Sequence, residues 1–356
     1  MVKILHISTA HNPFDIRIYK KEVKSLIKHG YDVKFLVPTF NISEVSDNHI
    51  FVKKSKNRIK RMVFDNYNIY KKVCEIKPEI IHFHDPEFLP YALILKKKQN
   101  IKVIYDAHED LPNAILSKSY INKNARKFVS VVAKLIEDNI SKKLDFIVTA
   151  TPFIERKFLK INNNTVCINN YPLLDELFTV ENTLKENAVC YVGGLSKIRG
   201  SEQLSLSSNN TSTKIYIAGN TKDLLDDHNL ELLGNLSREE VANLMSKSIA
   251  GIVTFLPEPN HINARPNKMF EYMSAGLPVI SSNFSEWKNI IDSNKCGVTV
   301  NPKAPEQISN AIDYLVANPE IAKKMGENGR DAVVTKFNWN NEEKNLINIY
   351  KKLEEN

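Results

Sequence analysis

Residues 2–37 read VKILHISTAHNPFDIRIYKKEVKSLIKHGYDVKFLV. Val2–Ile7 reads as a strand. Ile18–His29 reads as a helix with Ile18, Val23, Leu26 and Ile27 on one side, Gly30 stops it, and Val33–Val37 is the next strand. Ile80–Phe83, Val103–Tyr105 and Phe146–Thr149 continue the series, separated by helical stretches such as Phe128–Ile140. Strand, helix and strand in regular succession predict a parallel sheet covered on both faces.

The rhythm restarts after Pro172. Strands are predicted at Ala188–Val192, Lys214–Ala218, Gly251–Phe255 and Pro278–Ser281, with helices at Glu239–Ser246, Lys268–Ser274 and Pro305–Ala317. A chain of 356 residues is too long for one ordinary core and fits two. The polar linker is expected near residues 165–187. Two such domains place a ligand crevice at the carboxyl ends of both sheets.

Hydrophobic content of 42% with 25% charged residues suits a soluble globular protein. Cys74, Cys167, Cys190 and Cys296 are scattered, which argues against a disulfide framework or a structural zinc site. The first apolar run is too short for a signal peptide, and no stretch approaches the roughly 18 apolar residues of a membrane span. A cytoplasmic protein is expected.

Residues 1–180 hold 30 Lys and Arg against 19 Asp and Glu, whereas residues 181–356 hold 19 against 22. The excess gathers at Lys20-Lys21, in the run Lys53–Arg61, at Lys71-Lys72 and at Lys96–Lys98. It is either a solvated face or an attraction to an anionic membrane surface. No aromatic-interleaved motif accompanies it, which argues against nucleic acid.

The segment Arg265–Ile280 carries the most chemistry. Pro266-Asn267 stand where a helix starts, and Gly276-Leu277-Pro278 end it. Lys268, Glu271 and Tyr272 fall on one helix face. Lys268 and the free first-turn N–H groups suit an anion, and Glu271 one turn deeper suits two adjacent hydroxyls. An ordinary surface Lys–Glu pair is the plainer alternative. Gly193-Gly194 end a strand and let backbone approach a ligand, with Arg199 on the next turn able to reach a diphosphate. Gly219 ends the following strand.

Phe270-Glu271-Tyr272-Met273-Ser274-Ala275-Gly276-Leu277-Pro278-Val279-Ile280 closely resembles the donor-binding helix of glycosyltransferase family 4. The resemblance implies the GT-B fold, two Rossmann-like domains facing across a cleft. It also implies a retaining glycosyltransferase moving sugar from a UDP- or GDP-sugar to a glycan or lipid-linked acceptor in cell-surface polysaccharide synthesis. The domains fall at 1–170 for the acceptor and 171–337 for the donor, with a helix at 338–356 packing back on the first. Glu271 would bind the ribose. The family's partner Glu, eight positions earlier, is here Asn263, which keeps hydrogen bonding but not charge; Glu258 is the alternative. Where the family reads Gly-Arg-Leu-x-x-x-Lys-Gly, this chain has Gly194 in place of the Arg and Arg199 in place of the Lys. Lys268 or Arg265 would compensate.

On the acceptor side, Asp15-Ile16-Arg17-Ile18 with Lys21-Glu22 resembles one branch of the family. Asp15 and Arg17 either form a capping or ion pair that shapes the loop or line the acceptor mouth. His82, His84, Asp85 and Glu87 follow one strand, and Asp106, His108, Glu109 and Asp110 follow another. The resemblance makes His108 a hydrogen-bond donor to the transferred sugar, its tautomer fixed by Asp106 or Glu109. Asp85 and Glu109 would orient the acceptor hydroxyl. His82, His84 and His108 can converge on a metal, but no metal or other cofactor is expected. A sugar-nucleotide 2-epimerase and a non-catalytic nucleotide-sugar-binding protein are the competing readings.

Overall fold

The computed structural model describes residues 3–40, 47–57, 60–118, 121–177, 184–221 and 229–355; of the Lys53–Arg61 run, Arg58 and Ile59 fall outside these. The chain divides into two compact units, residues 1–170 with 342–356, and residues 171–341.

Among the described residues the first unit holds seven strands: β1 Lys3–Ile7, β2 Asp32–Thr39, β3 His49–Lys53, β4 Ile80–Phe83, β5 Lys102–Ala107, β6 Phe146–Thr149 and β7 Thr165–Cys167. Their order is β3-β2-β1-β4-β5-β6-β7, every pairing parallel. The order reverses between β1 and β4, the position where doubly wound sheets open a crevice at their carboxyl ends. β4 and most of β1 and β5 are buried, so such strands should be apolar throughout. His6 on β1, its register partner His82 on β4, and Asp106 on β5 break that rule. β7 extends the sheet into the stretch predicted as linker.

The helix predicted at Ile18–His29 is two pieces. A wide-turned π-helix runs Ile16–Val23, and an α-helix continues over Lys24–Lys28. Asp15 starts it by accepting a hydrogen bond from Ile18 N at 3.0 Å. The π turn brings residues five apart near one side, which lets Arg17 and Glu22 both point into the core.

The second unit holds β8 Ala188–Val192, β9 Lys214–Ala218, β10 Leu230–Gly234, β11 Gly251–Val253, β12 Val279–Ser282 and β13 Gly297–Val300. The order is β10-β9-β8-β11-β12-β13, all parallel, with its switch between β8 and β11. The helix Asn267–Ser274 covers β11 and β12, burying Met269, Phe270, Tyr272 and Met273. The final helix, Trp339–Glu355, buries Leu346, Ile347, Ile349, Tyr350 and Leu353. Its residues from Glu342 onward belong to the first unit.

Candidate active site

In the first unit a buried polar network stands at the β1/β4/β5 strand ends. Arg17 grips Asp106 at two points, Nε to Oδ2 at 2.9 Å and Nη2 to Oδ1 at 2.8 Å, and donates to Ile168 O at 2.8 Å. Burial alone would raise the Asp106 carboxyl; Arg17, then His108 and His84, outweigh it and hold it well below the usual carboxylate range. Glu22 faces Arg17 Nε at 3.2 Å but accepts no hydrogen bond. Burial and the neighbouring Asp106 charge push its carboxyl up against the pull of Arg17. Of the two carboxyls, Asp106 is biased toward the charged form and Glu22 toward the protonated one.

An ionised Asp106 only accepts, and this fixes the direction of the histidine chain. His84 Nδ1 donates to Asp106 at 3.1 Å, so its Nε2 accepts from His6 Nδ1 at 3.1 Å. His6 Nε2 accepts from Tyr350 Oη at 3.1 Å, and Tyr350 accepts from His82 Nδ1 at 2.8 Å. His82 Nε2 is left buried without a hydrogen-bond partner among the described residues. Burial drives all three histidines toward the neutral form, with His84 lowered to about 4.

The histidines do converge, though not as the expected trio. Ligand atoms of Glu22, His82, His84 and Asp106 lie within 4.8 Å of one another, the residues able to hold a metal by spacing. The Arg17 guanidinium is already the cation paired with Asp106 there, and its Nε faces Glu22 at 3.2 Å.

His108 is the outermost member, its side chain 18% exposed. It meets Asp106 Oδ2 at 2.9 Å and His84 Nδ1 at 3.2 Å, both through Nε2. Asp106, and not the exposed Glu109, fixes its tautomer. That corrects the expected role: with Nε2–H given to Asp106, a neutral His108 offers Nδ1 as an acceptor, and donation to a sugar requires the imidazolium. Arg17, His84 and Asp85 are buried, so none lines an open mouth. Asp85 accepts from Ser8 Oγ and Thr9 N at 2.7 Å each and meets His11 Nδ1 at 3.2 Å. Burial opposes this ion pair at both ends, yet His11 is raised and Asp85 held low. Asp15 caps its helix, the capping alternative, whereas an ion pair with Arg17 is replaced by the Asp106 pair.

In the second unit, Gly193 and Gly219 have φ of +101° and +139°, where only glycine is unstrained. A Cβ on Gly219 would meet the Gly193 backbone at 2.6 Å, so the loops after β8 and β9 close on each other through these two residues. Lys268 Nζ lies just above Gly193, at 3.5 Å from the place a Cβ would take. It sits 3.6 Å from the Tyr191 ring centroid and 5.2 Å from that of Phe255. The nitrogen is buried with no hydrogen-bond acceptor among the described residues. Burial first, then the nearby Arg199, pushes the ammonium well below its usual pKa. Arg199 donates to Gly194 O at 2.8 Å and also lies over Phe255. Two cations crowd at glycine backbone beside an uncapped helix start, an arrangement that wants an anion.

Glu271, one turn on, accepts from Arg238 Nη1 at 3.0 Å through Oε1, and Arg238 Nη2 donates to Glu176 at 3.0 Å. Its Oε2 takes no hydrogen bond from the described residues. Arg238 was missed in the sequence, although Ser237 and Glu240 announce its helix through a reciprocal capping box. Two expectations change here. Tyr272 does not share the ligand-facing side of Lys268 and Glu271: it is buried, accepting from Val192 N at 2.8 Å and donating to Ile252 O. Arg265 is engaged by Glu286 at 3.1 Å and by the Tyr171 hydroxyl at 2.6 Å, not held free for phosphate. Asn263 is half-buried in the loop before it.

Known families match both units. Residues 6–170 match "Glycosyltransferase Family 4" and residues 175–332 match "Glycosyl transferases group 1". An uncharacterized glycosyltransferase of Methanocaldococcus jannaschii is 24% identical over 357 residues, covering 94% of this chain and 93% of that protein. Another from the same archaeon is 26% identical over 180 residues, 47% of this chain and 45% of that protein. Sucrose-phosphate synthase from Thermosynechococcus elongatus superposes with a TM-score of 0.80 at 17% identity, covering 99% of each chain. Anabaena HepE in complex with UDP-glucose gives 0.73 at 13% identity, covering 99% of this chain and 100% of that one. The fold is GT-B and the protein is a glycosyltransferase. The chain belongs to glycosyltransferase family 4.

Proposed function

We propose that this enzyme is a retaining glycosyltransferase that takes a sugar from a nucleoside-diphosphate donor to a glycan or lipid-linked acceptor in cell-surface polysaccharide synthesis. The observation that carries it is the buried, unpartnered Lys268 ammonium beside Gly193 and Arg199. A donor diphosphate supplies the missing counter-charge, and charge building on the departing diphosphate is met by cations already in place. Glu271, steadied by Arg238, turns Oε2 to the ribose hydroxyls. Asn263 hydrogen-bonds the sugar where the family carries Glu. His108 meets the transferred sugar, and the leaving phosphate acts as base for same-face attack, so no carboxylate nucleophile is needed. The UDP-glucose bound by Anabaena HepE, on the same fold, favours a uridine donor. The basic first half meets an anionic membrane surface, where a lipid-linked acceptor resides.

Thermal-shift titration with UDP and GDP, followed by product analysis, tests this reading. One nucleotide should raise the melting temperature of the wild type, and Lys268→Ala and Glu271→Ala should abolish both the shift and transfer while the fold persists. Wild-type turnover in both variants would overturn it.

A further inference from the structure

The helix Lys123–Ser141 in the first unit is built inside out. Its buried side chains are Ser130, Glu137 and Ser141. Ser130 Oγ donates to Pro112 O at 2.8 Å, and Glu137 accepts from the Tyr105 hydroxyl at 3.1 Å and from Lys157 at 2.8 Å. A row of its apolar side chains faces outward, Phe128 72% exposed, Val131 57%, Leu135 55% and Ile136 48%, while Val129 is half-buried and Ile140 packs on the core. With Val132 they follow the i, i+3, i+4, i+7, i+8 spacing of a single stripe. A surface helix of a globular protein normally turns that stripe inward, and five such side chains in one row mark an interaction surface.

We propose that this stripe is the element by which the enzyme inserts into an anionic bilayer surface, lying in the interface plane. The proposal rests on the membrane contact inferred above and names the surface that makes it. Charge selects the occupant. Lys123 and Lys127 lie along the same helix, and Lys134, which pairs with Asp138, joins Arg156, Lys157 and Lys160 around an adjoining cavity of about 460 Å³, where these four cations outnumber the carboxylates of Asp110 and Asp138. Two copies joined through this face would bring their basic residues together. Anionic headgroups complement the lysines while the acyl boundary receives Phe128, Val131 and Leu135. Among the described residues no helix is long and apolar enough to cross a membrane.

The full chain is tested by flotation with vesicles of phosphatidylcholine alone or mixed with phosphatidylglycerol. Phe128→Trp reports insertion by its fluorescence. Binding to the mixed vesicles with a blue-shifted emission is expected. The triple variant Phe128→Ser, Val131→Ser, Leu135→Ser should bind at least ~10-fold more weakly, with its nucleotide-induced thermal shift unchanged. No wild-type binding, or equal binding by the triple variant, overturns the proposal. So does a solution dimer that the triple variant makes monomeric. Sugar transfer to a soluble acceptor is assayed in parallel, so loss of the membrane surface and loss of the transferase reading remain distinguishable.

Discussion

Arg17 holds Asp106 at both carboxylate oxygens, at 2.9 and 2.8 Å, with both side chains buried. A buried two-point pair stands or falls as a unit, because removing one partner leaves the other charge without water or counter-ion. Arg17→Met should therefore destabilise the first unit by about 3–5 kcal/mol. Arg17→Lys, a single-point donor, should recover only part of this. The protein's two tryptophans, Trp287 and Trp339, lie in the second unit, so hydrogen exchange at β5 amides is the measurement to use. Unchanged protection in Arg17→Met would refute the assignment.

The histidine chain predicts acid sensitivity. His6, His82 and His84 titrate lower when folded than when unfolded, because burial disfavours their cations. The unfolded chain thus binds more protons in this window, and stability rises with pH there. The contribution is complete above the unfolded value near 6.5 and fades as pH falls toward about 4, where His84 itself protonates folded. For His84 alone the loss is about 3 kcal/mol. Glu22 acts oppositely, since its raised carboxyl favours the fold below its unfolded value and loses that as pH rises through the folded one. First-unit stability measured between pH 4 and 7 should climb, and His84→Gln should flatten the climb. An equal slope in that variant would reject this account.

The alternation that located the strands was legible because burial on both faces leaves short apolar runs, and Ala188–Val192 and Lys214–Ala218 agree with their prediction residue for residue. The Lys268–Glu271 helix was legible for a similar reason: Pro266 and Gly276 bracket it in sequence. What stayed hidden was contact across long separations. Nothing near Arg17 announces Asp106, 89 residues away, and nothing near His6 announces Tyr350, 344 residues away. Tyr272 was misplaced because i, i+4 spacing defines a side of the helix but not which part of it the sheet covers. Helix Lys123–Ser141 was found, yet its inverted orientation depends on Tyr105 and Lys157 drawing Glu137 inward.

Tyr272 and Gly251 form a matched pair. A Cβ on Gly251 would lie 2.3 Å from the Tyr272 ring, and the hydroxyl satisfies the Val192 amide at the end of β8. Gly251→Ala should be the harsher change, forcing the helix that carries Lys268 and Glu271 away from β11. Tyr272→Phe keeps the ring but orphans a buried N–H, for about 1–3 kcal/mol. Tryptophan-monitored urea unfolding should rank Gly251→Ala below Tyr272→Phe below wild type. The reverse order would mean that the ring does not set the helix position.

Lys268 separates stability from function. Its ammonium is buried without an acceptor, a state that costs the unliganded fold and is relieved by a bound anion. Lys268→Met keeps the stem over Tyr191 and removes the unpaired charge. The variant should melt higher than wild type without nucleotide, by a few degrees for a gain of about 1 kcal/mol. It should also show no further rise on adding the diphosphate that stabilises wild type. Glu271→Gln is the contrasting case. It breaks no orphaned group but weakens the Arg238 pair, so it should melt slightly lower while losing donor affinity. Side-by-side melting curves with and without UDP decide the matter. A Lys268→Met protein less stable than wild type would show that the ammonium supports the unliganded fold, and the anion reading of this site would then fail.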